Sequence, residues 1–215
     1  MTVKRNQVEQ AICLMHEPGA SAPSVELKTR LKRLLETDRD LGRKPRSADR
    51  EQANYAFFSA EPPGSGVEVW FSEYEAFALY TGWRLLEHGF PQATAVSILR
   101  RARPRLEPKH QDILRLDPAL IFDQKRIRQA AKSGSIAAST LEPLFLTIAS
   151  RQGRQAVAGA DATREVKICD EMDLMRLLRS EVGLSTTNFE LTGPAHRLRA
   201  ELQETTPTKR GRAAS

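Results

Sequence analysis

Between positions 28 and 46 the chain carries Lys28, Arg30, Lys32, Arg33, Arg43, Lys44 and Arg46. Cations this closely spaced suit the binding of phosphate oxygens. Exposed on a helix, the same side chains also donate to base edges in a major groove. A solvated helix face carries Lys and Arg for solubility too, so the spacing alone leaves both readings open. The basic character returns at Arg100-Arg101-Ala102-Arg103-Pro104-Arg105 and at Lys209-Arg210-Gly211-Arg212. The formal charge is +6 at pH 7, and residues 1–50 hold eleven Lys and Arg against seven Asp and Glu. An excess of that kind suits a polyanionic partner.

Other chemistries find less support. None of His16, His88, His110 and His196 lies near a second histidine or a cysteine at metal-ligand spacing. Cys13 and Cys169 form no Cys-x-x-Cys pair and have apolar neighbours, so two reduced thiols are expected, with no zinc and no disulfide. There is no Gly-x-Ser-x-Gly elbow and no phosphate loop. Gly64 and Gly66 fall in a turn where their amides cannot serve a dinucleotide. The carboxylates Asp38 and Asp40, and Asp170, Glu171 and Asp173, fall at helix ends, where a helix dipole accounts for the second group. The expectation is a protein without enzymatic activity, cofactor or metal. A site assembled from distant positions is the remaining enzymatic alternative.

Apolar spacing supplies the elements that would carry the cations. Residues 2–16 predict a helix through Val3, Val8, Ala11, Ile12 and Met15, ended by Pro18-Gly19. Residues 24–41 predict a second, with Leu27, Leu31, Leu34 and Leu35 in one stripe, Ser24 or Ser21 as cap and Gly42 as stop. Tyr55–Ser59 and Val67–Phe71 flank Pro62-Pro63-Gly64 and predict a β-hairpin. Ser72-Glu73-Tyr74-Glu75 is a capping box, opening an apolar helix that runs to Gly89. Pro91 opens a further helix that Pro104 should stop. Asp117-Pro118 predicts a helix to about Lys132. Strands are expected at 144–148 and 166–169, a loop at 151–163, and helices at 171–181 and 193–204. The order reads αα, hairpin, αα, then α, β, β, α, β, α.

Helix, turn, helix, a two-stranded wing and two more helices resembles the winged-helix DNA-binding layout. The stretch after the wing is similar to the MerR-type family, in Phe71-Ser72-Glu73-Tyr74-Glu75, then Leu85-Leu86-Glu87-His88-Gly89-Phe90, then Ala95-Val96-Ser97-Ile98-Leu99-Arg100. The likeness covers residues 3–103. It departs from the family where Val67-Glu68-Val69-Trp70-Phe71 lacks an arginine for phosphate, and where Pro104 and Pro108 interrupt the long helix that usually follows.

The expected fold is therefore mainly α, of α+β class. A winged helix-turn-helix with a hairpin wing occupies 1–108, a small α/β domain 109–204, and a disordered basic tail 205–215. The resemblance implies a DNA-binding transcriptional regulator or accessory protein, with the second helix in the major groove of double-stranded DNA. Lys28, Arg30, Lys32 and Arg33 would contact bases or phosphates, and Arg43, Lys44 and Arg46 the backbone. The second domain would oligomerise, as a homodimer for instance, or bind a partner. The alternative is a protein-interaction module that exposes Trp70 and Phe58 on one hairpin face. No apolar run reaches the roughly 18 residues of a membrane span. With no secretory leader evident, a cytoplasmic protein is expected, nucleoid-associated if it binds DNA.

Overall fold

The computed structural model describes residues 1–64, 67–118, 143–151, 164–180 and 184–206. The protein is mixed α+β, mainly helical, with two small antiparallel sheets. The chain divides into two units, Met1–Pro104 with Arg197–Ser215, and Arg105–His196. The helix expected from Asp117 to Lys132 and the basic tail at 209–212 lie outside the described residues, apart from the first two positions of that helix.

In the first unit, strand β1 (Thr2–Lys4) leads into helix α1 (Arg5–His16). Helix α2 (Val25–Asp40) begins where the sequence indicates, with Ser24 Oγ accepting from Leu27 N at 3.1 Å. It ends at Gly42, whose φ of +57° suits glycine. Leu27, Leu31, Leu34 and Leu35 are all buried. The short helix α3 (Arg50–Ala53) and strand β2 (Trp70–Ser72) follow, and β2 runs into helix α4 (Glu73–Glu87). The Ser72–Glu75 capping box forms, with Ser72 Oγ accepting from Glu75 N at 3.2 Å and Glu75 Oε2 accepting from Ser72 N at 2.7 Å. Tyr74, Phe77, Leu79, Tyr80, Trp83 and Leu85 make α4 the buried helix it was expected to be.

Two expectations give way here. Residues 2–4 are a strand, not the first turn of a helix, and β2 pairs antiparallel with them, Val3 opposite Phe71 and Lys4 opposite Trp70. Tyr55–Ser59 is not a strand, so the hairpin wing expected across 55–71 does not form. The reason is where the backbone of 54–59 finds its hydrogen bonds. Asp38, with no exposed surface, accepts from Ala56 N at 3.0 Å and from Phe57 N at 2.9 Å. Arg103 donates to the carbonyls of Tyr55 and Phe58 and to Ser59 Oγ. Glu75 Oε1 accepts from Ser59 N at 2.6 Å. Side chains take the polar groups that a second wing strand would have paired.

Helix α5 (Gln92–Arg115) continues through Pro104, where a stop was expected, and through Pro108. Each proline removes one helical hydrogen bond. Leu99, Ala102, Leu106 and Ile113 nevertheless keep one buried stripe through that stretch, and its burial offsets the loss.

In the second unit, strands β3 (Phe145–Arg151), β4 (Glu165–Cys169) and β5 (Leu184–Glu190) form a sheet in the order β4-β3-β5, antiparallel throughout. Leu146, Thr147, Ile148 and Ala149 of the central strand are buried. Helix α6 (Glu171–Ser180) packs on β3 and β4. Helix α7 (Thr192–Glu204) closes the described chain. Its later part belongs to the first unit, where Arg199 pairs with Glu73 at 3.2 Å and Gln7 Nε2 donates to Thr205 O at 2.9 Å.

Two substitutions test the first unit by chemical denaturation. Asp38→Ala leaves the buried Arg100 guanidinium without its carboxylate and should cost about 3–5 kcal/mol. Gly82→Ala places a methyl 3.0 Å from Phe57 Cζ and 3.2 Å from Leu99 Cδ1. That crowding should outweigh the gain in helix propensity of about 1 kcal/mol, so the variant should be less stable.

Candidate nucleic-acid interface

Helix α2 turns its leucines and Asp38 inward, which leaves the rest of its circumference for the cations. At 3.6 residues per turn, Lys28 and Lys32 lie one above the other on one flank. Arg33 lies across the outward face and Arg30 on the opposite flank. Val25, the most exposed large apolar residue of the described chain at 81%, stands at the outward start of the helix.

The cations differ in what they hold. Arg30 bridges Glu26, at 2.6 Å, and Glu87 at the end of α4. Its charge is spent on joining two helices. Lys32 reaches Glu36 at 3.5 Å with its side chain 59% exposed, a pair that water largely screens. Arg43 lies over the ring of Tyr55, 5.3 Å from its centroid, with Glu61 at 3.9 Å. Lys28, Arg33, Lys44 and Arg46 are exposed and make no ion pair among the described residues.

Two groups result. Lys28, Lys32 and Arg33 surround the N-terminal half of α2 together with Val25 and Thr29. The one acid there, Glu26, is already taken by Arg30. The C-terminal half carries Glu36 and Asp40 on its outer side. Lys44 and Arg46 follow in the connector, past the end of a helix that rises about 18 Å from Lys28 to Asp40. That connector is held in place by Lys44 N donating to Gln52 O at 2.6 Å.

The basic run at 100–105 behaves differently. Arg100 is 2% exposed, with Nε 2.6 Å from Asp38 Oδ1 and Nη1 2.8 Å from Gly42 O. Arg103 is 6% exposed and lies over the Tyr74 ring. Both are internal fasteners of the first unit. The sequence held a clue to this: Asp38 falls on the Leu31, Leu34, Leu35 stripe, and Arg100 follows Val96 by four residues, one helical turn. A charge placed on an apolar stripe is a buried partner.

Of the aromatic pair that would have made a protein-binding face, Trp70 is 52% exposed with Lys4 Nζ 5.0 Å from its ring centroid, but Phe58 is 5% exposed and packs against Tyr55 and Phe71. An open cleft of about 160 Å³ lies between α1, the start of α2 and the end of α4, lined by Cys13, His16, Glu26, Arg30, Trp83 and Glu87 among others. Its His16 and Trp83 rings meet edge to face at 5.0 Å, and Arg30 already answers Glu26 and Glu87. Burial pushes the thiols of Cys13 and Cys169 above their ordinary pKa. Among the described residues, no group of three or more His, Cys, Asp and Glu could hold a metal, and no helix is long and apolar enough to cross a membrane. No protein-family model, characterised protein or solved structure matches the chain.

Tyr55 sits beneath Arg43 and donates its hydroxyl to Glu61 Oε1 at 2.7 Å. Burial first, then that hydrogen bond to a carboxylate, push its phenol up to about 12 from 10.0. The raised value favours the neutral phenol in the folded state. Its contribution to stability is whole below pH 10.0 and is lost as pH climbs through about 12. Absorbance titration at alkaline pH should show a tyrosine ionising at about 12, and Tyr55→Phe should remove that step.

Proposed function

We propose that the protein binds double-stranded DNA through the N-terminal half of α2. One observation carries this reading. The outward side of that half presents Val25, Lys28, Thr29, Lys32 and Arg33, with Glu26 paired to Arg30, which also holds Glu87, and Glu36 paired to Lys32 one turn on. It is the second helix after a turn, and its inward stripe is fixed in the core. A helix so held can lie in a major groove, with Lys28, Lys32 and Arg33 donating to base edges or nearby phosphates and Val25 against a thymine methyl. Lys44 and Arg46 lie too far along to share that groove contact, so they hold the phosphate backbone. Arg30 and Arg43 act one step back, by fixing α2 to α4 and by stacking on Tyr55. The likeness to MerR-type winged helices rests on the residues between Phe71 and Arg100, since the hairpin wing does not form. Regulation of transcription is the role that likeness suggests.

Five phosphate-directed cations set the salt dependence. Fluorescence anisotropy with a labelled duplex should give a slope of log affinity against log salt near −4.5, a loss on the order of 500-fold between 50 and 200 mM. Lys28→Glu with Arg33→Glu should flatten that slope by about two units or abolish binding, since each cation contributes about 0.9. Arg100→Lys, an internal change, should leave the slope alone. Affinity insensitive to salt, or no binding at micromolar protein, would overturn the proposal.

A further inference from the structure

Helix α6 has apolar side chains on two sides. Leu174 and Leu177 are half-buried toward the sheet. Met172 and Met175 face away from that side and Leu178 lies on the flank next to Leu174; the three are 56%, 41% and 44% exposed. They are three of the nine large apolar residues exposed among the described residues, and they fall in one stripe of a single ten-residue helix. A stripe of that kind on a folded surface needs a partner.

The charges say which. Asp170 Oδ1 caps the helix by accepting from Asp173 N at 2.7 Å, and Asp173 pairs with Arg176 at 3.1 Å within the helix. Glu171 at the start and Arg179 at the end are exposed and form no ion pair among the described residues. Both lie along the apolar stripe. Met175 stands midway between them, and also midway between Met172 and Leu178. If two copies of α6 are laid antiparallel with Met175 on a two-fold axis, Met175 meets Met175, Met172 meets Leu178, and Glu171 meets Arg179. The two charges left over on one copy are answered by the other, twice. The opposed helix dipoles add to the fit.

We infer that α6 is a homodimerisation surface, two copies of this chain joined antiparallel about Met175. The contact is isologous and closed, as a two-fold requires. Methionine at its centre adapts to its own image. A helix about 15 Å long buries less than the roughly 1,200 Å² of a standard interface, so the dimer is reversible and forms in the micromolar range. The surface lies in the second unit and does not depend on the reading of α2.

Sedimentation velocity of the full chain tests this. From about 1 to 200 µM the mass should rise from the 24.1 kDa monomer toward twice that value. Met175→Asp should raise the dissociation constant by about tenfold or more, with an unchanged circular dichroism spectrum. Met175→Cys should give a disulfide-linked dimer under mild oxidation, against a silent background because Cys13 and Cys169 are buried. Leu178→Cys should not link to itself, but should link when mixed with Met172→Cys. A monomer at every concentration would mean that another part of this chain or no partner covers the stripe, and the inference falls. It falls equally if a dimer survives Met175→Asp, or if Leu178→Cys links to itself while Met175→Cys does not.

Discussion

A carboxylate with no exposed surface sets the plan of the first unit. Asp38 lies on the inward side of α2 and receives three donors: the Arg100 guanidinium and the amides of Ala56 and Phe57. Burying such a pair yields little net stability, because desolvation consumes most of the Coulomb energy. It does dictate geometry. Arg100 also donates to Asp38 O and Gly42 O, so α5, the end of α2 and segment 54–59 are tied at one point. Arg103, one turn on, ties the other side of that segment. Apolar contacts carry little direction, whereas these bonds fix both distance and angle.

The outer face of α2 follows from that knot. With Asp38 and four leucines directed inward, every cation on the helix is forced to its flanks or its outer side. Arg30 then fastens the other end, to Glu87 of α4. The helix is pinned at Arg30 and at Asp38, and Lys28 and Arg33 on its exposed side make no ion pair among the described residues. Recognition of a duplex needs a rigid helix whose side chains, not its backbone, do the adjusting. Lys28 and Arg33 have that freedom here because Arg30 and Arg100 have given theirs up.

Much of this architecture could be read from the residues. The Ser24 cap, the Ser72–Glu75 box, the leucine stripe of α2 and the strands expected at 144–148 and 166–169 all rest on local chemistry; the first of those strands runs on to Arg151, where a loop was expected. Tyr55-Ala56-Phe57-Phe58 reads as a strand because burial of aromatics looks alike in a strand and in an extended segment. What separates the two is the fate of the amides, and Asp38 lies 18 residues away from Ala56. Residues 2–4 were lost for a similar reason: their partner is Trp70–Ser72, and a three-residue strand has too short a period to announce itself. The cations of the site were legible as a set. Which of them are spent on Glu26, Glu87 and Tyr55 depends on helices that meet only in three dimensions.

Arginine serves opposite ends in this chain, and counting charge hides the difference. Arg100 and Arg103 belong to a run of four arginines in six residues and reach solvent with almost none of their surface. Lys44 and Arg46, in a plain connector, are wholly available. The net charge of +6 therefore overstates the field at one place and understates it at another. What decides availability is whether a cation shares a helical face with apolar residues: Arg100 shares one with Val96, while Lys28 and Arg33 straddle theirs. Position relative to the apolar stripe, more than the number of basic residues, determines which charges an incoming phosphate can meet.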